Sequence, residues 1–145
     1  MPHVFAGIGA TLPSGMTKDG PSSSMGTTTE WTVVPAWTAD TANYPGSVVA
    51  DGGLQVQSNN GGAQLTCAVV FAGGTLSGNY QARLRIGTTV VATSAVVAGT
   101  SGTMTMSATV PVSAGDIVMV ETQTSIASSW RATVSGGAGT YVRVS

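Results

Sequence analysis

Charged residues are scarce in this chain: they make up 8% of its 145 residues, and the net charge is −1. The five basic residues are Lys18, Arg83, Arg85, Arg131 and Arg143. They are too few and too scattered to form a patch that follows a phosphate backbone, so nucleic acid is not an expected partner. The surface must be built from Thr, Ser, Gly, Ala, Asn and Gln. Such a surface is more typical of a protein in an assembly than of a free monomer.

Reactive side chains are also few. Cys67 is the only cysteine, which excludes an intramolecular disulfide, and its apolar neighbours predict a small buried side chain, not a nucleophile. His3, the only histidine, has no Ser or Cys partner at a recognisable spacing. Asp51 and Asp116 stand beside glycines, where a carboxylate usually accepts backbone hydrogen bonds in a turn. With no zinc spacing and no phosphate loop, we predict a protein without enzymatic activity, cofactor or metal.

Long apolar runs are absent as well. No stretch approaches the roughly 18 apolar residues of a membrane span. The start of the chain, residues 1–5, lacks the basic and apolar regions of a secretory signal. We expect a protein that is made in the cytoplasm, is not exported by the usual route and has no membrane partner.

Helix-forming residues are rare, while Gly, Thr, Ser and Val dominate, as is typical of strands and turns. Short strands are predicted at 30–34, 47–50, 54–57, 64–71, 79–86, 89–97, 103–112, 117–123, 130–135 and 140–145. Parallel strands would need crossover helices, so an antiparallel sandwich or barrel remains. The number and spacing of the strands favour an all-β jelly roll.

Residues 1–28 differ from the remainder of the chain. Three prolines (Pro2, Pro13 and Pro21), the glycines Gly15 and Gly20 and a run of serines predict an extended N-terminal arm without a core of its own. The head domain is accordingly predicted at residues 29–145.

One strand is apolar on both faces. Residues Ile117, Val118, Met119 and Val120 follow one another without a polar residue, although an antiparallel strand in a lone sandwich has one inner and one outer face. Something must cover the outer face. The arm is one candidate, and a second copy of the chain is the favoured one. Which pair of residues faces the core is left open by the pattern.

Several segments together resemble a known family. These are TEWTVVPAW (29–37), LTCAVVFAGG (65–74), GNYQARLRIGTTVVATS (78–94), VPVSAGDIVMVETQ (110–123) and GTYVRVS (139–145). Their order is similar to the jelly roll of tumour necrosis factor and the complement globular heads. The most specific match is the Ala-Gly-Asp hairpin at 114–116. Gly87-Thr88 stands where Asn-Gly is common in the family.

The resemblance covers residues 29–145 and implies a sandwich of about ten strands that packs into a tight trimer through one sheet. The trimer interface residues that follow are Ile117, Val118, Met119, Val120 and Tyr141. Neither a collagen stalk nor a membrane anchor precedes the head in this sequence, which distinguishes it from the signalling and opsonic members.

A trimeric head with a proline-rich arm is similar to bacteriophage virion proteins that adopt this jelly roll. We predict a capsid decoration protein on the virion surface, with the major capsid protein as its partner. The residues expected to anchor it are His3, Val4, Phe5, Ile8 and Leu12.

Two alternatives differ in location or chemistry. The first is a tail-tip or fibre head (a minor tail protein) that binds host-surface carbohydrate, with Trp37, Tyr44 and Trp130 as aromatic contacts. The second is a hydrolase of cell-wall polysaccharide, which would need a pair of acids brought together from distant strands.

Overall fold

The computed structural model describes residues 11–20, 23–25, 30–127 and 129–145. Within them the chain forms strands and connecting turns and no helix. The strands are β1 (Ser14–Lys18), β2 (Ser23–Ser24), β3 (Thr32–Val33), β4 (Trp37–Ala39), β5 (Val48–Ala50), β6 (Gly53–Gln55), β7 (Asn60–Ala72), β8 (Gly78–Ile86), β9 (Thr89–Thr93), β10 (Val97–Gly99), β11 (Gly102–Val112), β12 (Ile117–Thr124), β13 (Thr133–Val134) and β14 (Gly137–Val144).

These strands form two sheets in which all pairs are antiparallel. The first sheet has the order β2-β13-β7-β14-β1-β4, and β11 pairs with the other edge of β7. The second has the order β10-β8-β12-β6-β5, in which β9 also pairs with β8 and β3 with β12. The predicted all-β antiparallel sandwich is confirmed. The described residues contain no long apolar helix of the kind that crosses a membrane.

The longest strands follow the alternation of their sequences. In β11, Met104 and Met106 are buried while Thr103, Thr105 and Ser107 are exposed. Its partner β7 buries Leu65, Cys67, Val69 and Phe71 in the same way. The predicted hairpin at Gly87-Thr88 is also present, with Ile86 opposite Thr89 and Gly87 at a φ of 59°.

The core lies between the two sheets. Phe71 of the first sheet stacks on Tyr80 of the second, with ring centroids 4.2 Å apart. The Tyr80 hydroxyl accepts a hydrogen bond of 2.8 Å from the Ala132 amide, so its polar end is satisfied inside the core. Burial of each large apolar side chain contributes about 1.5–3 kcal/mol. The largest fully buried ones are Tyr80, Phe71, Met16, Met25, Leu54, Leu65, Leu84 and Met104.

Strand β1 differs from the predicted arm. It lies inside the first sheet, paired on one side with β14 and on the other with β4. Met16 is fully buried, and Met25 further along is 2% exposed. The described part of residues 1–28 therefore belongs to the head, in contrast with the predicted boundary at residue 28. The arm prediction for residues 1–10 lies outside the described residues.

Strand β1 has no apolar alternation that would predict a strand, because Met16 is its only strongly apolar residue. Ser14 and Lys18 are buried despite being polar, and the Lys18 ammonium donates to the Asp19 carbonyl at 3.0 Å. Burial lowers the pKa of the Lys18 amine, and the nearby Asp19 carboxylate partly opposes this. Gly15 is required because a Cβ there would overlap the Tyr44 ring, which lies against the backbone of β1.

The two apolar faces of strand β12 have different environments. Val118 and Val120 are fully buried between the sheets. Ile117 and Met119 lie on the outer face and are half-buried. Gly53, the first residue of the neighbouring strand β6, approaches them closely: a Cβ there would collide with the Val118 carbonyl and with the Ile117 side chain. Part of the cover on this strand therefore comes from the chain itself.

Deletion of residues 1–11 should leave the head folded, because no described core residue is lost. Deletion of residues 1–28 should unfold it, since β14 and β4 lose a common partner and the buried Met16 and Met25 are removed, at about 2–5 kcal/mol each. Thermal unfolding followed by circular dichroism compares the two with the full chain. The short deletion should melt within about 3 °C of it. A chain of residues 29–145 that melts with the full chain would contradict the role of β1.

Substitutions at two neighbouring positions of β12 should differ strongly in how much stability they remove. Val120→Asp places an unpaired charge in the core and should lower the free energy of unfolding by roughly 3 kcal/mol or more. Met119→Asp instead places a carboxylate across from Arg85 on the outer face and should keep the fold. Urea unfolding of both variants measures the difference, and equal losses would show that this assignment of faces is wrong.

Candidate interaction surfaces

The outer face of the second sheet carries a cluster of charges. Glu121 of β12 pairs with Arg83 of β8 at 2.7 Å (Nε to Oε1) and with Arg85 at 3.4 Å (Nη1 to Oε2). The Arg83 guanidinium lies over the Trp31 ring, 4.3 Å from its centroid. Glu121 is 4% exposed, so its charge depends on these two arginines. A partner that covered this face would have to remove water from both guanidinium groups.

The outer face of the first sheet is built mostly from small uncharged residues. Its members are Thr103, Thr105, Ser107 and Thr109 of β11, Gln64, Thr66, Ala68 and Val70 of β7, Tyr141 and Arg143 of β14, and Thr17 of β1. Arg143 is the one charged side chain in this set, and its guanidinium lies 3.8 Å from the centroid of the Tyr141 ring. We call this surface the threonine face. It offers a neighbour little charge to desolvate.

An apolar groove lies where the two sheets meet at the β9 and β11 edges. It is lined by Ile86, Thr89, Val91, Val110 and Pro111, and the adjacent Val90 is 42% exposed. We call it the edge groove. Its residues were not among the predicted interface positions. The consecutive Val90-Val91 pair in a short hairpin strand was the signal that could have found it.

The predicted trimer residues do not form one surface in the described structure. Val118 and Val120 belong to the core, and Ile117 and Met119 lie on the outer face of the second sheet. Tyr141 lies on the threonine face, on the opposite side of the sandwich. Tyr141 alone of the five reaches the surface that is poorest in charge.

Of the predicted anchoring residues, one falls within the described part of the chain. Leu12 is 54% exposed, and its amide donates to the Ser58 Oγ at 2.8 Å. His3, Val4, Phe5 and Ile8 lie outside the described residues. Leu12 immediately precedes β1 and therefore marks where the segment joins the sheet.

The cysteine and the turn carboxylates that could have taken part in catalysis are instead buried or hydrogen-bonded within their own turns. Cys67 is buried, and burial raises the pKa of its thiol, which disfavours the reactive thiolate. The Asp116 carboxylate accepts a hydrogen bond of 2.9 Å from the Ser113 amide in the turn before β12. Asp40 accepts from the Asn43 amide group at 3.1 Å. Among the described residues, no group of three or more His, Cys, Asp or Glu side chains could hold a metal.

The three aromatic residues considered for carbohydrate binding also differ from one another. Trp37 is 8% exposed and its Nε1 donates to the Val34 carbonyl at 2.7 Å, so it is a core residue. The Tyr44 ring packs against Gly15 of β1. Trp130 is 54% exposed and is the one of the three that presents its ring to solvent.

Comparison with known proteins identifies the fold. No protein-family model and no curated protein sequence matches the chain. Crystal structures of murine APRIL at pH 8.0 and pH 8.5 match with TM-scores of 0.60 and 0.58 and identities of 13% and 14%; each match covers 93% of this chain and 98% of APRIL.

The structure of Eiger TNF from S. frugiperda matches with a TM-score of 0.53 and 9% identity, over 92% of this chain and 90% of Eiger. Identities this low show the fold and not the function. The chain has the TNF-like jelly-roll fold.

Proposed function

We propose that this chain is a non-enzymatic structural protein of a bacteriophage virion. It forms a homotrimer on the outer surface of the capsid and is held there by its N-terminal segment, which contacts the major capsid protein. The observation that carries the proposal is the way in which this segment enters the head. The exposed Leu12 leads directly into β1, which lies between two other strands of the first sheet.

This entry suits a segment that bears load. The hydrogen bonds of β1 to β14 and to β4 run across the strand direction, so a pull along the segment loads many of them together. The Leu12 amide is held by Ser58 at the point where the chain leaves the sheet. In this proposal His3, Val4, Phe5, Ile8 and Leu12 contact the capsid, where an extended segment adds to a sheet edge or fills apolar pockets.

The available surfaces of the head differ in the free energy needed to cover them, and this favours a trimer through the first sheet. A threefold contact is heterologous, so each subunit must offer two different patches that fit each other. The threonine face and the edge groove are such a pair, since one is flat and nearly uncharged and the other is concave and apolar. The outer face of the second sheet is disfavoured because the partly exposed Arg83 and Arg85 charges would lose water.

A trimer also explains how a short segment can hold a protein on a capsid. Three linked segments bind with a high effective concentration once the first is in place, so weak individual contacts give tight attachment. The function then requires contacts and no catalysis, which agrees with the structural roles of Cys67, Asp40 and Asp116 described above.

Light scattering of the purified chain should give a trimer at roughly 10 µM. Thr105→Glu should dissociate the trimer and keep the fold, because Thr105 is exposed midway along β11 on the threonine face and a carboxylate there would be buried by the neighbouring subunit without a partner. Thr32→Glu, at an exposed position of the other sheet, is the matched control and should remain trimeric. A monomeric full chain, or a trimeric Thr105→Glu, contradicts this interface.

Co-sedimentation with undecorated capsids of the same phage tests the anchor. The full chain should bind, and the chain without residues 1–11 should stay in the supernatant as a folded trimer. Phe5→Ala should weaken attachment by about 1–3 kcal/mol per segment if the ring fills a pocket. Leu76→Ala, an exposed apolar residue far from the segment in sequence, is the control. A truncated trimer that coats capsids as tightly as the full chain would contradict the anchoring role.

A further inference from the structure

Two exposed apolar side chains lie together in loops at one end of the sandwich. Trp130, between β12 and β13, is 54% exposed, and Leu76, between β7 and β8, is 50% exposed. They line a cleft of ≈ 500 Å³ together with Thr75 and Ser129. We call it the Trp130 cleft. Its volume falls in the range of roughly 300–1,000 Å³ that is typical of small-molecule sites, and four residues are too few for a stable protein interface.

The cleft is held in shape by backbone hydrogen bonds. The Trp130 carbonyl accepts from the Thr75 amide at 3.0 Å and from the Leu76 amide at 3.4 Å, and the Trp130 amide donates to the Ala127 carbonyl at 3.0 Å. These bonds join the two loops directly beneath the exposed ring. The backbone under the aromatic surface is therefore fixed before any ligand arrives, which reduces the entropy lost on binding.

The residues that follow Trp130 are fixed as well. The Ala132 amide donates to the Tyr80 hydroxyl in the core, and the Arg131 guanidinium donates to the Met25 carbonyl at 2.6 Å. Arg131 therefore directs its charge toward the backbone of Met25, and it is not among the residues that line the cleft. The large exposed indole is thus held away from the core by a loop that is otherwise well anchored.

We propose that the Trp130 cleft binds an uncharged carbohydrate, with a pyranose ring stacked on the indole. The lining fits this class of ligand because it combines an aromatic face and an aliphatic side chain with two hydroxyl groups, and contains no charged residue. A sugar ring has an apolar C–H face for the indole and hydroxyl groups at its edge for Thr75 and Ser129. The indole Nε1–H has no hydrogen-bond partner among the described residues and adds a donor.

The position of the cleft gives it a role beyond attachment to a capsid. Strand β7 begins at the end of the sandwich where Ser14 and Val144 pair, and it finishes just before the Thr75 loop. Its 13 residues span about 40 Å. The cleft and the exposed Leu12 therefore lie at opposite ends of the head. A head attached through its N-terminal segment would present the cleft outward.

The test is a titration of the ¹⁵N-labelled full chain with single neutral sugars, namely glucose, galactose, mannose and N-acetylglucosamine, each up to about 100 mM. At least one should shift the Trp130 indole signal and the Thr75 and Leu76 amide signals together, with a dissociation constant in the millimolar range. Trp130→Ala should weaken binding roughly tenfold or more, and Trp130→Phe should retain part of it. Trp31→Ala, which removes an indole on the outer face of the second sheet, should bind as the original chain does.

Each other outcome contradicts the proposal. Shifts that persist in Trp130→Ala would place the sugar elsewhere, and no shift with any of the four sugars would exclude simple neutral pyranoses as the ligand. A change of oligomeric state in Trp130→Ala would show that a second copy of the chain covers the cleft. Thermal unfolding checks that the variant is folded, as expected for a half-exposed side chain. Capsid binding by the same variant is measured separately, so that the failure of the sugar-binding proposal can be told apart from the failure of the capsid-attachment proposal.

Discussion

The pairing of β1 with β14 and β4 is the constraint on which the remainder of the head depends. It brings the first described strand against the last one within one sheet. It also completes the threonine face, since Thr17 continues the row begun by Tyr141 and Ala68. Any force on the N-terminal segment therefore reaches the sheet directly, without a flexible linker in the described part of the chain.

The two outer faces of the sandwich divide the possible contacts between them. On the second sheet, Glu121 is nearly buried and is compensated by two arginines, one of which lies on Trp31. Removing one partner of such a cluster, or desolvating its arginines, costs several kcal/mol, whereas leaving the cluster at the surface costs little. On the first sheet the hydroxyl groups of threonine and serine can exchange water for a neighbour's hydrogen bonds at a smaller cost. Of the two outer faces, that of the second sheet thus carries most of the charge, and the threonine face of the first sheet is nearly without it.

Much of the fold could be predicted from the sequence because the long strands each have one solvent-exposed face and one buried face. The alternation in β7, β8 and β11 indicated both their type and their buried residues, and the Ala-Gly-Asp and Gly-Thr turns indicated two hairpins. Strand β1 could not be found in this way. A strand paired on both edges is stabilised by its neighbours' hydrogen bonds, so Ser14, Thr17 and Lys18 can form it without an apolar pattern.

The surfaces were harder to predict than the strands. The run from Ile117 to Val120 indicated two apolar faces, of which one belongs to the core; on the other, Ile117 and Met119 are half-buried beside Gly52 and Gly53 of the same chain. A sequence pattern shows that a side chain is apolar and does not show what lies over it. For the same reason Trp37, Tyr44 and Trp130 could not be separated, although the structure makes the first a core residue and leaves the last exposed.

The exposure of Trp130 costs free energy, and nothing in the packing of the described part of the head requires this side chain to be exposed. The core already contains the stacked Phe71 and Tyr80, and the loop that carries Trp130 is fixed to it through Ala132. An indole with half of its surface in water gives up part of the free energy that its burial would contribute. In a chain with few charges, such a residue also promotes association. Its place at the end of the head opposite Leu12, with about half of its surface exposed, leaves it accessible to a ligand in solution.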